Sequence, residues 1–301
     1  MVGEPERPPA GSAKIPGWCN RAGVVMPERR QPGRQEVVDG LGQTWASMAD
    51  VGAALDGAEW ELPTGCPGWS VKDQFSHVIG TERMLLGEEP PPAGEPGTGF
   101  VRNDIGAWNE RWVAARRPLP GDDVLAEFVE VTDRRSSALR AMGDDDFAAP
   151  AMTPVGPGTY RDFMTIRLFD CWVHEQDVRR AVGRPGHQTG LGAETALVTI
   201  QGSLPRTVAK LAGAPEGASV AFAMEGDQAA EWAVGVEGGR GRTLEAVPSE
   251  VTAEVRTDLD TLVALACGRW NPDSALAEGR VTVTGDEALA RRVVANLAFT
   301  F

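Results

Sequence analysis

The segment from about residue 160 to residue 182 is predicted to be a long helix that carries three ionisable side chains on one face. At about 100° per residue, Asp170, His174 and Asp177 fall within an arc of roughly 60°. Asp170 and His174 are four residues apart, so both side chains can reach one point above the helix surface. A carboxylate and an imidazole at this spacing can bind zinc, and they can equally form a hydrogen-bonded pair that joins two helices. The spacing leaves both interpretations open.

The same face of this helix carries the apolar residues that we predict to form its core-facing stripe: Phe163, Ile166, Val173 and Ala181. Charged groups among buried apolar residues are costly unless they are paired or bind a metal. The chain has only three histidines, so an imidazole metal site has few candidates. His77 lies on another predicted helix, away from the middle of its apolar stripe, and the periodicity does not join it to His174. His187 follows the end of the long helix and is predicted to be a surface residue.

Three regions of different composition divide the chain. Residues 1–33 are rich in Pro, Gly and Arg and are predicted to be a disordered extension. Residues 34–186 are predicted to form a bundle of four long helices, one of which begins at a capping box of Ser70 and Asp73. Residues 187–301 alternate helical and strand-like runs, which predicts a smaller α+β domain with a mostly antiparallel sheet.

The formal net charge of −14 disfavours nucleic acids and anionic membranes as partners. No apolar run reaches the roughly 18–20 residues of a membrane span. The N-terminus lacks the order of basic, apolar and small residues of a signal peptide. We therefore expect a cytoplasmic monomer or homodimer. The four cysteines, Cys19, Cys66, Cys171 and Cys267, include no CxxC pair and are predicted to be free, and spacing places none of them at the ionisable face.

Two motifs bring His77 into relation with the long helix. Residues 66–73 read CPGWSVKD and are followed by His77; they resemble the opening motif of actinobacterial mycothiol-dependent maleylpyruvate isomerase-like proteins, which belong to the wider DinB-like four-helix group. Residues 170–179 read DCWVHEQDVR and resemble the second motif of that family. The C-terminal part, which includes VTVTGD at residues 281–286, resembles more loosely the sterol-carrier-type α+β domain that often follows.

The resemblance implies that His77, Asp170 and His174 hold a divalent metal ion, with zinc as the first expectation. The family usually has Glu where this chain has Asp170, whose side chain is one methylene shorter. Asp177 becomes a candidate for orienting a ligand imidazole from outside the ligand set. The family isomerase also uses an arginine in an Ala-x-Gly-Arg context, which residues 266–269 match. The resemblance therefore implies that Arg269 is a catalytic residue that binds a substrate carboxylate.

The implied function is that of a metal-dependent enzyme with mycothiol as its thiol cosubstrate. Two histidines and one carboxylate leave coordination positions open, which is the pattern of a catalytic site. Such an enzyme would isomerise a small electrophile, as a maleylpyruvate isomerase does, or act as an S-transferase. Two alternatives stay open. One is a small-ligand or lipid-binding protein that works through the sterol-carrier-type domain, and the other is a metal-stabilised bundle with an interaction role.

Overall fold

A computed structural model of the chain describes residues 31–92, 99–226 and 229–300. It confirms the predicted fold class, a helical bundle followed by an α+β region. Most of the extension predicted at residues 1–33 lies outside the described residues. Within the described ranges, no helix is both long enough and apolar enough to cross a membrane.

Four long helices build the bundle, as the sequence predicts. Its helices are α1 (Arg34–Ala53), α2 (Val71–Leu85), α3 (Asp104–Ala114), α4 (Gly121–Ala141), the short α5 (Asp144–Ala148) and α6 (Tyr160–Ala181). The capping box closes at the start of α2: the Asp73 N–H donates to Ser70 Oγ at 3.3 Å, and the Ser70 N–H donates to Asp73 Oδ2 at 3.0 Å. A hairpin of β1 (Pro150–Thr153) and β2 (Gly156–Thr159), which periodicity does not indicate, leads into α6.

The C-terminal region begins with α7 (Leu191–Arg206), which continues as one π-helical turn (Thr207–Leu211). The sheet has the order β5-β4-β3-β6-β7. Its elements are β3 (Ser219–Glu225), β4 (Ala230–Glu237), β5 (Arg240–Thr243), β6 (Ala253–Asp258), α8 (Leu259–Ala266), α9 (Pro272–Ala277), β7 (Thr282–Gly285) and α10 (Glu287–Ala295). Among the described residues of this sheet, β3 and β6 pair in parallel and the other strand pairs are antiparallel, so the prediction of a mostly antiparallel sheet is confirmed.

Helix α6 contributes to two hydrophobic cores, and the stripe predicted for it is confirmed in part: Phe163 and Ala181 pack against the bundle core, whereas Val173 does not. The residues that it places in the bundle core are Met164, Leu168, Cys171 and Val178. Trp172 and Val173 instead join the C-terminal core with α7. Because α6 has apolar neighbours on both sides, no single apolar stripe describes it. The ionisable face lies beside the bundle core, where α6 meets α2.

Helix α2 is buried on all sides over Val71–Glu82, because α3, α4 and α6 pack around it. A position away from the apolar stripe of this helix is therefore not a surface position. His77 is only 5% exposed and faces α6.

The connection between α6 and α7 folds back onto α6, and the prediction that His187 is a surface residue is wrong. The Trp172 Nε1–H donates to the backbone oxygen of His187 at 2.8 Å. Nδ1 of His187 lies 2.7 Å from Oε2 of the buried Glu175. The histidine side chain is only 20% exposed.

Candidate metal centre

Three side chains from two helices converge between α2 and α6. His77 Nε2 lies 3.1 Å from Asp170 Oδ2, and His174 Nε2 lies 3.5 Å from Asp170 Oδ1. One ligand atom of each residue falls within 4.8 Å of the others. The structure therefore brings together the three residues that the family resemblance implies as ligands, one from α2 and two from α6.

The spacing of these atoms fits a small divalent cation. With bonds of about 2.0–2.2 Å, neighbouring ligand atoms of a tetrahedral zinc site lie about 3.4 Å apart. The separations of 3.1 and 3.5 Å, which are measured to the two different oxygens of Asp170, are close to that value. Each oxygen of Asp170 faces a different histidine, so the shorter side chain still reaches both. Two imidazoles and a carboxylate are ligands that zinc and other first-row divalent metals accept.

Gln74 sets the tautomer of His174. The His174 Nδ1–H donates to Gln74 Oε1 at 2.5 Å, and the Gln74 Nε2–H donates to Thr64 Oγ1 at 2.7 Å. With the hydrogen on Nδ1, the lone pair of Nε2 is directed to the side of Asp170. Asp177 Oδ2 is 3.6 Å from the same Nδ1, too far for a hydrogen bond. The orienting role that we predicted for Asp177 is therefore better suited to Gln74.

The ionisation states of the other two residues also favour metal binding. Burial lowers the pKa of His77 to about 4, against the opposing charge of Asp170, so this imidazole is neutral at pH 7. Its Nδ1 is buried and has no hydrogen-bond partner among the described residues. Burial by itself would raise the pKa of Asp170, but the charge of Arg167 holds it well below its usual range. A neutral imidazole and an ionised carboxylate are the forms that bind a cation.

Behind Asp170 lies a buried network of charged side chains. Arg167 pairs with Asp170 through Nη1, and its Nη2–H donates to Glu82 Oε1 at 2.8 Å. The Arg135 Nε–H donates to the other oxygen of Glu82 at 2.9 Å. Glu82 and Arg135 are 1% and 2% exposed. Because each charge has a partner, the network can fix the position of Asp170 without leaving an uncompensated buried charge.

The loop between Leu62 and Ser70 covers the two histidines. The ring centroid of Trp69 lies 5.1 Å from that of His77 and 5.8 Å from that of His174. Gly68 has a φ of 79°, and a Cβ there would collide with the ring of Phe100. The loop can pack this closely because glycine tolerates both conditions.

The same loop brings Cys66 to the site, where spacing had placed no cysteine. Its thiol lies close enough to Gln74, Arg269 and Asp177 for these side chains to affect its pKa. Burial raises the pKa of this thiol to about 11, although Arg269 opposes the shift. Burial likewise raises the pKa of Cys171 and that of Cys267 to about 12. All three cysteines are free, as predicted. Their raised pKa values mean that the thiols are protonated at neutral pH. Cys19 lies outside the described residues.

Arg269 reaches the site from the C-terminal region through Asp177. Its Nε and Nη2 each lie 3.0 Å from Asp177 Oδ2, and its Nη1–H donates to the backbone oxygen of Cys267 at 2.9 Å. The Arg180 Nη1–H donates to Asp177 Oδ1 at 2.7 Å. Asp177 is fully buried, and the guanidinium groups of Arg180 and Arg269 balance its charge. Arg269 and Asp177, which we predicted as site residues from different regions of the chain, therefore form an ion pair. Asp177 lies one helical turn after His174.

Sequence reasoning missed Gln74 and Arg167. Each lies three residues before one of the three converging side chains, Gln74 before His77 and Arg167 before Asp170, and so shares a helix face with it. A search for polar residues at this spacing would have identified both as candidates.

Comparison with known families agrees with the two motifs. Residues 41–179 match the family described as mycothiol maleylpyruvate isomerase N-terminal domain, and residues 199–298 match the SCP-2 sterol transfer family. The predicted family resemblance is thereby confirmed for both regions.

Among solved structures, the chain is similar to the crystal structure of a mycothiol-dependent maleylpyruvate isomerase, with a TM-score of 0.52 at 17% identity. The match covers 84% of this chain and 93% of that one. A mutant of the isomerase gives a TM-score of 0.50 at 16% identity over the same shares. At this level of identity, the similarity shows a common fold.

Among curated proteins, the chain is 28% identical over 140 residues to an uncharacterized protein found in two strains of Mycobacterium tuberculosis. The match covers 45% of this chain and 53% of the relative. The chain thus spans about half the length of the curated relatives it matches.

Proposed function

We propose that this protein is a divalent-metal-dependent enzyme that uses mycothiol to isomerise or S-conjugate a small electrophilic substrate. The observation that carries the proposal is the convergence of His77, Asp170 and His174. Three protein ligands are the number typical of catalytic zinc sites, whereas structural sites usually have four. A divalent ion bound there would supply Lewis acidity and would lower the pKa of a thiol beside it.

The reactive thiol is supplied by a cosubstrate in this proposal. Each cysteine in the described part of the chain has a raised pKa and is protonated at neutral pH. Since the thiolate is the nucleophile, the protonated form of these side chains in the metal-free chain favours an external thiol. The family match of residues 41–179 supports mycothiol as that thiol.

The chemistry follows from the addition of sulfur to an activated double bond. The thiol first loses its proton to solvent, and the thiolate sulfur forms a bond to one carbon while the π electrons move onto the conjugated carbonyl group. The former double bond is then a single bond and can rotate. When the electrons return and the C–S bond breaks, the trans isomer and the thiolate are released. If the adduct is protonated on carbon instead, the product is an S-conjugate.

We assign the carboxylate of the substrate to Arg269. A guanidinium carries five N–H groups, and the contacts with Asp177 and Cys267 leave one on Nη1 and one on Nη2. Asp177 holds the guanidinium in one plane, which prepares it for a planar carboxylate. This assignment extends the implied role of Arg269 and gives the C-terminal region a part in the reaction.

The structure gives less support to the two alternatives. Two open cavities of the described residues, of about 590 and 400 Å³, are both lined by residues of the helical bundle. Within the described ranges, no fourth His, Cys, Asp or Glu joins the three ligands to close a structural metal site.

The test is a thiol-conjugation screen. Zinc-loaded protein is incubated with mycothiol and a panel of small electrophiles that includes maleylpyruvate, and the products are identified by mass spectrometry. We expect isomer or S-conjugate to accumulate only when protein, metal and mycothiol are all present, and not with the His77→Ala variant. Equal product with wild type and variant, or none with any electrophile, would contradict the proposal.

A further inference from the structure

A cavity of about 400 Å³ lies next to the metal centre, and the function proposed above does not use it. It is formed by the loop before α2, the first turn of α2 and the segment after α3. The residues that line it are Glu61, Pro63, Thr64, Gly68, Trp69, Ser70, Asp73 and Arg117. Trp69 belongs both to this cavity and to the cover of His77 and His174, so a ligand in the cavity would share the indole with the metal centre.

Two buried polar atoms of the cavity wall have no hydrogen-bond partner within the described part of the chain. The first is Oδ1 of Asp73, a residue that is 3% exposed. Its nearest cationic atom, Arg117 Nε at 3.3 Å, hydrogen-bonds to Oδ2 instead. The second is Nη2 of Arg117, whose Nη1–H donates to Glu110. Buried polar groups are nearly always satisfied, so one unused acceptor and one unused donor in the same wall indicate a ligand that can supply both.

The charges around the cavity indicate which ligand fits. Glu61 is paired with Lys72, while Asp73 and Glu110 share the single charge of Arg117. Together, these five side chains carry one net negative charge, which disfavours the binding of an anionic substrate. A neutral ligand rich in hydroxyl groups can donate to a carboxylate and accept from a guanidinium.

The indole of Trp69 adds an apolar face. Its Nε1–H is bound to Glu110 at 3.1 Å, which fixes the position of the ring. A fixed aromatic face next to carboxylate and guanidinium groups is suited to a ring that carries C–H bonds on its faces and hydroxyl groups on its rim. Sugars and cyclitols have this form.

We propose that this cavity binds the hydroxyl-rich, thiol-free part of the cosubstrate. The inference rests on the proposed function, because mycothiol is an N-acetylcysteine joined to glucosaminyl-inositol and is neutral apart from its thiol. Its hydroxyl groups donate to Asp73 Oδ1 and accept from Arg117 Nη2, while one ring lies on Trp69. The thiol end extends towards His77 and His174. The anionic electrophile then binds on the side of the site where Arg269 lies.

The direct test is a binding measurement that requires neither thiol chemistry nor turnover. The probe is N-acetylglucosaminyl-inositol, which lacks sulfur, and its affinity for the full-length protein is measured by calorimetry. We expect saturable binding that weakens about tenfold or more in Arg117→Met, since one charge-assisted hydrogen bond is lost. The matched control is Arg134→Met, which removes an exposed arginine of α4 that pairs with Glu88 and Glu130. It should leave the affinity unchanged.

A second variant keeps the proposal testable if Arg117→Met does not fold. Asp73→Asn keeps an oxygen for the capping box and removes the carboxylate, and it should also weaken probe binding while circular dichroism stays unchanged. In turnover, both variants should raise KM for mycothiol and leave the rate with N-acetylcysteine, which lacks the sugar, as it is in the wild type. A wild-type protein that does not bind the probe, or folded variants that bind it as well as wild type, would overturn this proposal. The probe cannot react, so its binding does not depend on whether any electrophile is converted. The binding measurement therefore tests the cavity, and the conjugation screen tests the proposed function.

Discussion

Gln74 Oε1 accepts a hydrogen bond from His174 Nδ1 at 2.5 Å and so fixes which nitrogen of this imidazole is free to bind metal. The two residues are 100 positions apart in the chain, on α2 and α6. The partner that orients a ligand histidine is often a carboxylate, whereas here it is a neutral amide. Through its own nitrogen, Gln74 also ties the loop before α2 to the metal centre.

Replacing Gln74 should weaken metal binding. In Gln74→Leu the acceptor is lost, the tautomer of His174 is no longer fixed, and zinc affinity should fall by about 10- to 100-fold. Competition with a chromogenic chelator measures the change. Thr64→Val leaves the acceptor of His174 in place but removes the partner of the amide nitrogen and two hydrogen bonds within the loop, to Trp69 and Cys66, and should have a smaller effect on zinc affinity. Equal zinc affinities of wild type and folded Gln74→Leu would show that the hydrogen bond does not support the ligand.

Glu82 should be important for stability, because it is the carboxylate between two buried guanidinium groups. Glu82→Gln leaves Arg135 without its counter-charge and Arg167 with Asp170 alone, and should lower the free energy of unfolding by about 3–5 kcal/mol. Urea denaturation measures the difference. The control is Glu130→Gln, which removes an exposed ion pair of 3.5 Å with Arg134 and should cost less than about 1 kcal/mol. Similar losses in both variants would contradict the role of the buried network.

The stability of the metal-free protein should depend on pH through His77. Its pKa is about 4 in the folded chain, because of burial, and 6.5 is its ordinary value. The unfolded chain therefore binds more protons between these values, and the free energy of unfolding should fall as the pH is lowered from 6.5 towards 4. Above pH 6.5 the contribution of His77 is fully present. Denaturation in chelator at several pH values should show a shallower dependence for His77→Gln, and identical slopes would exclude the effect.

Arg269 should affect turnover without affecting the metal. A lysine cannot hold Asp177 and a substrate carboxylate at once in the way that a planar guanidinium can. Arg269→Lys should lower thiol-dependent turnover about tenfold or more, whereas the zinc content stays as in wild type because Arg269 contacts none of the three ligands. Arg291→Lys, at an exposed position of α10, serves as the control. Unchanged turnover in Arg269→Lys would remove Arg269 from the proposed mechanism.

Local patterns in the sequence predicted those features of the fold that depend on neighbouring residues. The capping box of Ser70 and Asp73 and the four-residue spacing of Asp170 and His174 involve single helices, and the structure shows both. The edge strand β5 was not predicted, because its Arg- and Gly-rich sequence has no apolar alternation. The stripe on α6 was wrong for Val173, because one helix contributes to two cores, which a single-helix pattern cannot indicate.

The candidate site depends on contacts between distant parts of the chain, and these are the features that periodicity could not supply. His77 seemed remote from the α6 face on its own helix, and only the family motifs connected the two. Glu82 meets Arg167 across 85 positions, and Cys66 reaches the site through the fold of its loop. Such relationships depend on the packing of α2 against α6, which the sequence of neither helix encodes alone.

The central claim is that His77, Asp170 and His174 hold a divalent metal, and the metal content of purified protein tests it most directly. Wild type and His77→Ala are purified in parallel without chelator, loaded with zinc, freed of excess metal and measured by plasma mass spectrometry. The account predicts about one zinc per wild-type chain and a large loss of zinc in the variant, with both proteins folded. A folded wild-type protein without bound zinc, or a variant that retains as much as the wild type, would contradict it.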